Sequence, residues 1–364
     1  ETTRVVLLVA PNDCQTRAQE AEPSSRFERI SEAIDEERGF GLIDEDTVLR
    51  AVLARRGGDV TREIRLEFGE HTQAARDFPG ESAESAYREG ERALSRAVAF
   101  LQEEVGVPHF VLLPYRYLLV VLARFFAHYP EPSPGNRALL RRWFWRAALA
   151  GPVTPFGSWT FAMRTLATRI SADDETGSIQ RLLELPRVQD FALPKLTQFR
   201  TSNADSRIVL CALWSLGPRS FTTREPYTRQ NLVDAIPPGG TTAEVVERIL
   251  RVEPEGHHSW AANRIVSLEE GQRNAAANLL QLADSLFDRQ EARAVLASHA
   301  VSEEQLSALA RGDAVGFLKG RQRLIEQAVR DFLSRITETQ FEDTPPLDSL
   351  NLDDPDEERD DSVA

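Results

Sequence analysis

The sequence predicts a mainly α-helical protein, a multi-helix bundle built around a central helical hairpin. One observation is that residues 109–151 are the densest apolar and aromatic stretch of the chain. A second is that this stretch contains two helix-length segments, Pro114–Tyr129 and Asn136–Ala150, on either side of a proline-rich turn. A third is that apolar side chains recur at helical spacing elsewhere, as at Ile30 and Ile34.

The first segment of the hairpin is apolar apart from Arg116 and Arg124. A membrane-spanning helix needs about 20 apolar residues, so this interrupted segment predicts a buried helix of a soluble core and no membrane partner. The second segment combines bulky aromatic residues with Arg137, Arg141, Arg142 and Arg146. A helix with aromatics on one side and arginines on the other suits a nucleic-acid surface. It equally suits a solvated helix whose arginines lie along apolar surface.

The chain before the hairpin predicts three helices. The first spans residues 26–37. The second follows Asp44 and Asp46, whose carboxylates favour the positive end of a helix, and it contains Val48–Leu53. The third, Ser82–Val105, is long and has its apolar residues on one face.

The chain after the hairpin is also predicted to be helical, with less regular stretches between the helices. Residues 206–216 fit either a helix or a buried strand, and a helix over 241–250 is expected to be capped by Thr241 or Thr242. Ser302 begins a sequence with the spacing of a capping box. Further helices are predicted at Trp159–Ile170, Ile179–Leu185, Gly271–Phe287, Gln290–Ser298, Ser302–Ala310 and Asp313–Ile336.

Composition and periodicity divide the chain into five regions. They are a truncated or linker segment (1–25), a helical core domain (26–170), an irregular connecting region (171–240), a C-terminal helical domain (241–340) and an acidic tail (341–364). Residues 342–364 hold ten acidic side chains and one arginine, a composition that predicts disorder. This tail is either a solubilising segment or a mimic that keeps nucleic acid off a basic surface.

The two cysteines, Cys14 and Cys211, lie far apart in the sequence and give neither a disulfide framework nor a pair of metal ligands. A reducing, cytoplasmic location is therefore expected. The chain starts at Glu1 and its single methionine is Met163, so a fragment or a processed chain is expected. The apolar run of residues 5–10 is too short for a secretory signal.

Short phrases scattered over residues 26–336 carry a resemblance to a known family. They are Gly39–Asp44, Leu49–Leu53, Gly58–Arg62, Leu113–Arg116, Leu140–Ala147, Ala262–Ile265, Leu296–His299, Asp313, Phe317–Leu318 and Arg321. Together they resemble the C-terminal part of GmrSD-type proteins, the bacterial family of modification-dependent restriction and phage defence. No single phrase is a catalytic signature, so the resemblance depends on all of these phrases together.

The resemblance implies a nucleotide-binding domain that this chain does not carry. In the family, an N-terminal domain with a ParB-like fold binds or hydrolyses nucleotides through an Asp-Gly-Gln-Gln-Arg motif. The nearest string in this chain is Gly271–Arg273, which matches only in part. The ParB-like domain is therefore expected to be missing, to have decayed, or to lie on another chain.

The resemblance also implies an HNH-type (ββα) nuclease site in the C-terminal region. The candidates for its catalytic residues are His257, His258 and Asn263. The spacing from His258 to Asn263 is tighter than in the usual ββα-metal loop, so a degenerate HNH-like remnant is expected. The alternative is an exposed histidine pair in a loop. A divalent metal such as Mg²⁺ is expected only with an intact site, and no other cofactor is expected.

Three functions follow, and whether the chain is an enzyme stays open among them. The first is a helical effector or regulatory region that contacts nucleic acid through the arginines of the second hairpin helix. The second is a catalytically inactive interaction module of a defence complex. The third is a metal-dependent HNH-type DNA nuclease. The partners expected are DNA, a nucleotide-binding or nuclease partner chain, or another copy of this chain.

Overall fold

The computed structural model describes residues 25–57, 59–67, 77–185, 187, 192–269, 274–284 and 289–337. These residues form a mainly α-helical fold with one two-stranded sheet, which confirms the predicted fold class. The acidic tail, residues 1–24 and the string Gly271–Arg273 lie outside the described residues. None of the described helices is long and apolar enough to cross a membrane.

The described helices follow one another along the chain, and the longest connection between two of them, from α11 to α12, contains both strands. They are α1 (Arg26–Arg38), α2 (Glu45–Arg55), α3 (Ile64–Glu67), α4 (Ala83–Phe100), α5 (Arg116–His128), α6 (Pro134–Ala150), α7 (Val153–Phe156), α8 (Trp159–Ala167), α9 (Glu175–Leu183), α10 (Ala204–Trp214), α11 (Arg229–Ala235), α12 (Ala275–Asp284), α13 (Arg289–Ser298), α14 (Glu303–Ala310) and α15 (Ala314–Thr337). Strands β1 (Val246–Arg248) and β2 (Arg264–Val266) pair antiparallel.

The central hairpin consists of α5 and α6, as predicted. Helices α2, α4 and α8 pack against α5, which buries ten consecutive residues, 117–126. Arg124 lies in this buried stretch and donates hydrogen bonds to the carbonyl oxygens of Ala54, Ala167 and Ile170, at 2.5, 2.7 and 2.8 Å. An arginine at this position therefore ties α5 to the ends of α2 and α8 instead of interrupting the core.

Helix α4 continues into a single π-helical turn, Leu101–Val105, so the predicted long helix over 82–105 is confirmed. Gly106 follows it with φ of +82°, a left-handed conformation that favours glycine. The Trp145 indole donates a 3.0 Å hydrogen bond to the carbonyl oxygen of Val105. This contact attaches the π turn to α6 and satisfies a carbonyl at the end of the helix.

The predicted helix over 241–250 is wrong. Thr241 does cap a turn, and it shares a capping box with Glu244, but the turn is a short 3-10 helix that ends at Val245. The chain then extends into β1, where Val246 lies opposite Val266 of β2. β-Branched side chains favour an extended backbone, and pairing with β2 outweighs the local helix signal of the cap.

The main hydrophobic core draws on the whole described chain, from Ile30 of α1 to Ile336 of α15. The region 171–240, predicted to be an irregular connection, contributes Ile179 and Leu182 of α9 and Ile208 of α10 to this core. Residues 204–214 form the helix α10, so of the helix and the buried strand predicted for residues 206–216 the helix is confirmed. A smaller second core lies among α12, α13, α14 and the inner face of α15.

Candidate functional site

The predicted nucleic-acid helix, α6, lies deeper in the fold than its arginines suggest. It packs against α5, α9, α10 and α15, so few of its positions reach the solvent. Arg142 and Arg146 are only 4% and 6% exposed, although they were expected on a solvated face. The aromatic residues Trp143, Phe144 and Trp145 are fully buried. Aromatic and arginine side chains therefore do not separate onto opposite sides of this helix.

Two of the four arginines of α6 remain partly exposed, Arg137 and Arg141. They lie one helical turn apart. The guanidinium of Arg137 forms an ion pair with Glu104 of the π turn, in which Nε lies 2.6 Å from Oε1. A contact of α6 with nucleic acid stays a prediction, and it depends on this half-buried pair rather than on all four residues.

The predicted HNH-like residues lie in the connection between β1 and β2. His258 is well exposed, and its Nδ1 lies 3.4 Å from Oε2 of Glu253. The Nδ1 of His257 lies 2.8 Å from the carbonyl oxygen of Glu255, and its ring packs at 4.3 Å against that of Trp260. Within the described ranges, no group of three or more histidine, cysteine or acidic side chains could hold a metal ion. The histidine pair thus has one carboxylate close by.

Asn263 is the third predicted catalytic residue, and it is fully buried. Its Oδ1 accepts a 2.7 Å hydrogen bond from the Leu250 N–H, and its Nδ2 donates to the Leu250 carbonyl oxygen at 3.0 Å. Nδ2 also donates to Oε1 of Glu253 at 2.8 Å. The Asn263 side chain therefore bonds to both backbone groups of Leu250, as a neighbouring strand would. These bonds link the end of the β1–β2 connection to its beginning.

We expect Asn263→Ala to lower the free energy of unfolding by about 2 kcal/mol, because it leaves the N–H and C=O of the half-buried Leu250 without their Asn263 partner. His258→Ala should change it by less than about 0.5 kcal/mol, since His258 is exposed and substitutions of exposed side chains usually have small effects. Urea denaturation followed by circular dichroism measures both. Equal stability of Asn263→Ala and the unsubstituted chain would contradict a structural role for this amide.

Arg321 of α15 brings together three of the phrases on which the family resemblance depends. It is fully buried, and its Nη1 donates to the carbonyl oxygens of Ala262 and Arg264 at 2.6 and 2.8 Å. Its Nη2 donates to the carbonyl oxygen of His299 at 3.0 Å. Burial lowers the pKa of Arg321 to about 9, which leaves the side chain cationic at neutral pH. A cation bound only by carbonyl dipoles fixes the sheet and the end of α13 to α15.

A second meeting point of these phrases forms a cleft that the sequence did not indicate. The segment Gly39–Asp44 runs beside residues 109–113, and the Phe110 N–H donates a 2.7 Å hydrogen bond to the Phe40 carbonyl oxygen. The first turn of α10 and the loop Pro237–Thr242 complete the wall. The cavity has a volume of about 690 Å³, within the range of about 300–1,000 Å³ typical of small-molecule sites.

Two arginines, Arg116 and Arg207, line this cleft. The Arg116 side chain is 60% exposed, and its Nη1 lies 3.3 Å from Oδ2 of Asp44. Arg207 is half-buried, and its Nη1 donates to the carbonyl oxygens of Leu113 and Pro114 at 3.2 and 3.4 Å. Burial, and then the nearby charge of Arg116, lower the pKa of Arg207. Among the described residues Arg207 forms no ion pair, while Arg116 pairs with Asp44.

His109 forms the inner wall of the cleft and is 3% exposed. Burial lowers its pKa to about 4 despite the opposing charge of Asp35, so the imidazole is neutral at pH 7. Its Nδ1 accepts a hydrogen bond from the Val111 N–H, which places the ring hydrogen on Nε2. The ring packs so closely on Gly41, at φ of +83°, that a Cβ there would lie 2.2 Å from its Cε1.

Asp35 contributes a carboxylate to the same cavity. Its Oδ1 accepts a 2.6 Å hydrogen bond from the Gly41 N–H. The cleft thus holds two cations, two carboxylates and a neutral histidine within a partly apolar wall. Sequence reasoning missed it because these residues come from segments that lie far apart along the chain. The only signal was that two phrases of the resemblance, Gly39–Asp44 and Leu113–Arg116, contain charged residues.

Comparison with known proteins assigns no family to this chain. No protein-family model matches the sequence, and no curated protein matches it.

Proposed function

We propose that this chain is the helical effector or regulatory region of a GmrSD-type phage-defence protein, and that it contacts nucleic acid without cutting it. The observation that carries this proposal is the meeting of separate resemblance phrases at two places. Around Arg321 lie Ala262–Ile265 and Leu296–His299, and around the cleft lie Gly39–Asp44 and Leu113–Arg116. Phrases that meet in space are expected of a shared fold rather than of chance similarity.

The environment of the HNH-like candidates favours a binding role over the nuclease alternative. Both N–H groups of the Asn263 amide donate to Leu250 and Glu253, its Oδ1 accepts from Leu250, and the side chain is fully buried, so it is poorly placed to orient a base. Among the described residues His258 has Glu253 as its one carboxylate neighbour, and that carboxylate also pairs with Arg264. A metal-dependent nuclease needs several ligands that converge on one point.

The nucleic-acid contact is proposed for Arg137 and Arg141, because they are the α6 arginines that solvent reaches. Each phosphate contact releases counterions from the nucleic acid. The logarithm of the binding constant should therefore fall linearly with the logarithm of the salt concentration. Arg137 would exchange its ion pair with Glu104 for a phosphate contact. The affinity is therefore expected to be moderate and to depend strongly on salt.

The test is fluorescence anisotropy with a labelled DNA duplex at several salt concentrations. Arg137→Ala with Arg141→Ala should weaken binding and reduce the salt slope by about two, at about 0.9 per phosphate contact. The matched control is Arg88→Ala with Arg92→Ala, which has the same spacing on α4 and side chains that are 57% and 58% exposed. Equal loss in both pairs would contradict a specific role for α6, and it would leave only general attraction by positive charge.

If the chain binds no DNA at low salt, the nucleic-acid proposal is wrong, and the interaction-module alternative takes its place. That alternative predicts a stable complex with a nucleotide-binding or nuclease chain, or with another copy of this chain. Size-exclusion chromatography with light scattering detects such a complex directly.

A further inference from the structure

We propose that the cleft between Gly39–Asp44, residues 109–116 and the loop Pro237–Thr242 binds a small phosphorylated organic molecule, with its phosphate on Arg116 and Arg207. This site goes beyond the proposed nucleic-acid contact, which lies on α6. The cleft is a concave cavity of about 690 Å³, large enough for a sugar phosphate or a mononucleotide and too small for a duplex.

At one end of the cleft the two arginines lie near the carboxylate of Asp44. Arg116 lies close enough to Arg207 to lower the pKa of Arg207, and of these two arginines only Arg116 pairs with Asp44. A phosphate group carries about two negative charges and three acceptor oxygens, so one group can accept from both guanidinium forks. Binding of such an anion removes the repulsion between the cations.

The rest of the wall offers one hydrogen-bond acceptor and one hydrogen-bond donor. The Asp35 carboxylate accepts hydrogen bonds, and the Nε2–H of the buried His109 donates one. Within the described residues, no hydrogen bond from His109 Nε2 is formed. A simple inorganic anion would use only the arginines and would face the Asp35 carboxylate unfavourably. An organic phosphate with hydroxyl or amino groups satisfies both ends of the cavity.

An apolar surface lies between the arginines and Asp35. Val111, Val233, Ile236 and Pro237 line the cleft, and Phe110 lies under Arg116, with the guanidinium carbon 5.6 Å from the ring centroid. Ligand sites combine such apolar walls with a few polar groups that fix orientation. The carbon skeleton of the ligand is expected to lie along this surface, between the phosphate on the arginines and donors directed to Asp35.

The experiment is isothermal titration calorimetry of the full chain with ribose 5-phosphate, AMP, adenosine, inorganic phosphate and succinate. We expect ribose 5-phosphate or AMP to bind at least tenfold more tightly than adenosine, inorganic phosphate or succinate. Arg116→Ala should weaken that binding about tenfold, because it removes one charge-assisted contact. The control Arg88→Ala removes an arginine of similar exposure on α4 and should leave binding unchanged.

Ser202→Trp is the second variant, since Ser202 is exposed at the cleft and a tryptophan there fills the cavity without removing a cation. This variant should abolish binding, while the far-ultraviolet circular dichroism spectrum stays unchanged. The proposal is overturned if neither phosphorylated compound binds at millimolar concentration, or if adenosine or succinate binds equally well. It is also overturned if both cleft variants bind like the unsubstituted chain. DNA binding measured in parallel tests the α6 proposal separately.

Discussion

Arg321→Met is expected to lower the free energy of unfolding by about 4 kcal/mol. The buried carbonyl oxygens of Ala262, Arg264 and His299 lose their donor, at about 1–3 kcal/mol for each unsatisfied group. Methionine matches the length of the arginine stem, so the loss of hydrogen bonds outweighs any cavity. The removal of a buried cation recovers part of its desolvation cost, which keeps the expected total below the sum of three full losses.

Urea denaturation measures this effect, with Arg323→Met as the matched control on the exposed side of the same helix. The control should change the free energy of unfolding by less than about 0.5 kcal/mol. Arg321→Lys keeps the charge but has no planar fork, so an intermediate loss is expected. If Arg321→Met is as stable as the control, the carbonyl cluster does not hold α15 to the sheet.

Gly41→Ala is expected to cost about 3 kcal/mol and to deform the cleft. The left-handed backbone at Gly41 disfavours alanine by about 1 kcal/mol. The added Cβ would also lie 2.2 Å from Cε1 of His109, and overpacking of this kind costs about 1–3 kcal/mol. The imidazole ring is buried, so it has little room to move away.

A double-mutant cycle with His109→Ala separates the two contributions. His109→Ala removes the ring that the new Cβ would strike, so Gly41→Ala should cost only the backbone part, about 1 kcal/mol, in that background. The same denaturation measurement on all four proteins gives the coupling. A cost of Gly41→Ala that is the same with and without the His109 ring would contradict the close packing of these two residues.

The helices could be predicted from the sequence because their signals are local. Asp44 caps α2 and Ser302 begins a capping box at α14, as their spacing indicated. The strands could not be predicted, since each has three residues and β1 is defined by its pairing with β2 across the connection 249–263. Propensity is a weak prior that such tertiary contacts override.

The sites were harder to predict than the helices, because an arginine in a sequence normally indicates a solvent-exposed position. Arg142, Arg146, Arg124 and Arg321 are all buried, and nothing within their own segments distinguishes them from Arg116, which is well exposed. The distinction depends on which carbonyl oxygens or neighbours meet them in the folded chain. The cleft is hidden from sequence patterns for the same reason, since its cations lie on two helices, α5 and α10.

Incubation of a labelled DNA duplex with the full chain and Mg²⁺, followed by anisotropy and gel electrophoresis of the same samples, tests DNA binding and DNA cleavage together. The account predicts salt-dependent binding and uncut DNA, and the same result for His257→Ala with His258→Ala. Cleavage that requires Mg²⁺ and disappears in this double variant would contradict the account and would show that the connection between β1 and β2 is a nuclease site.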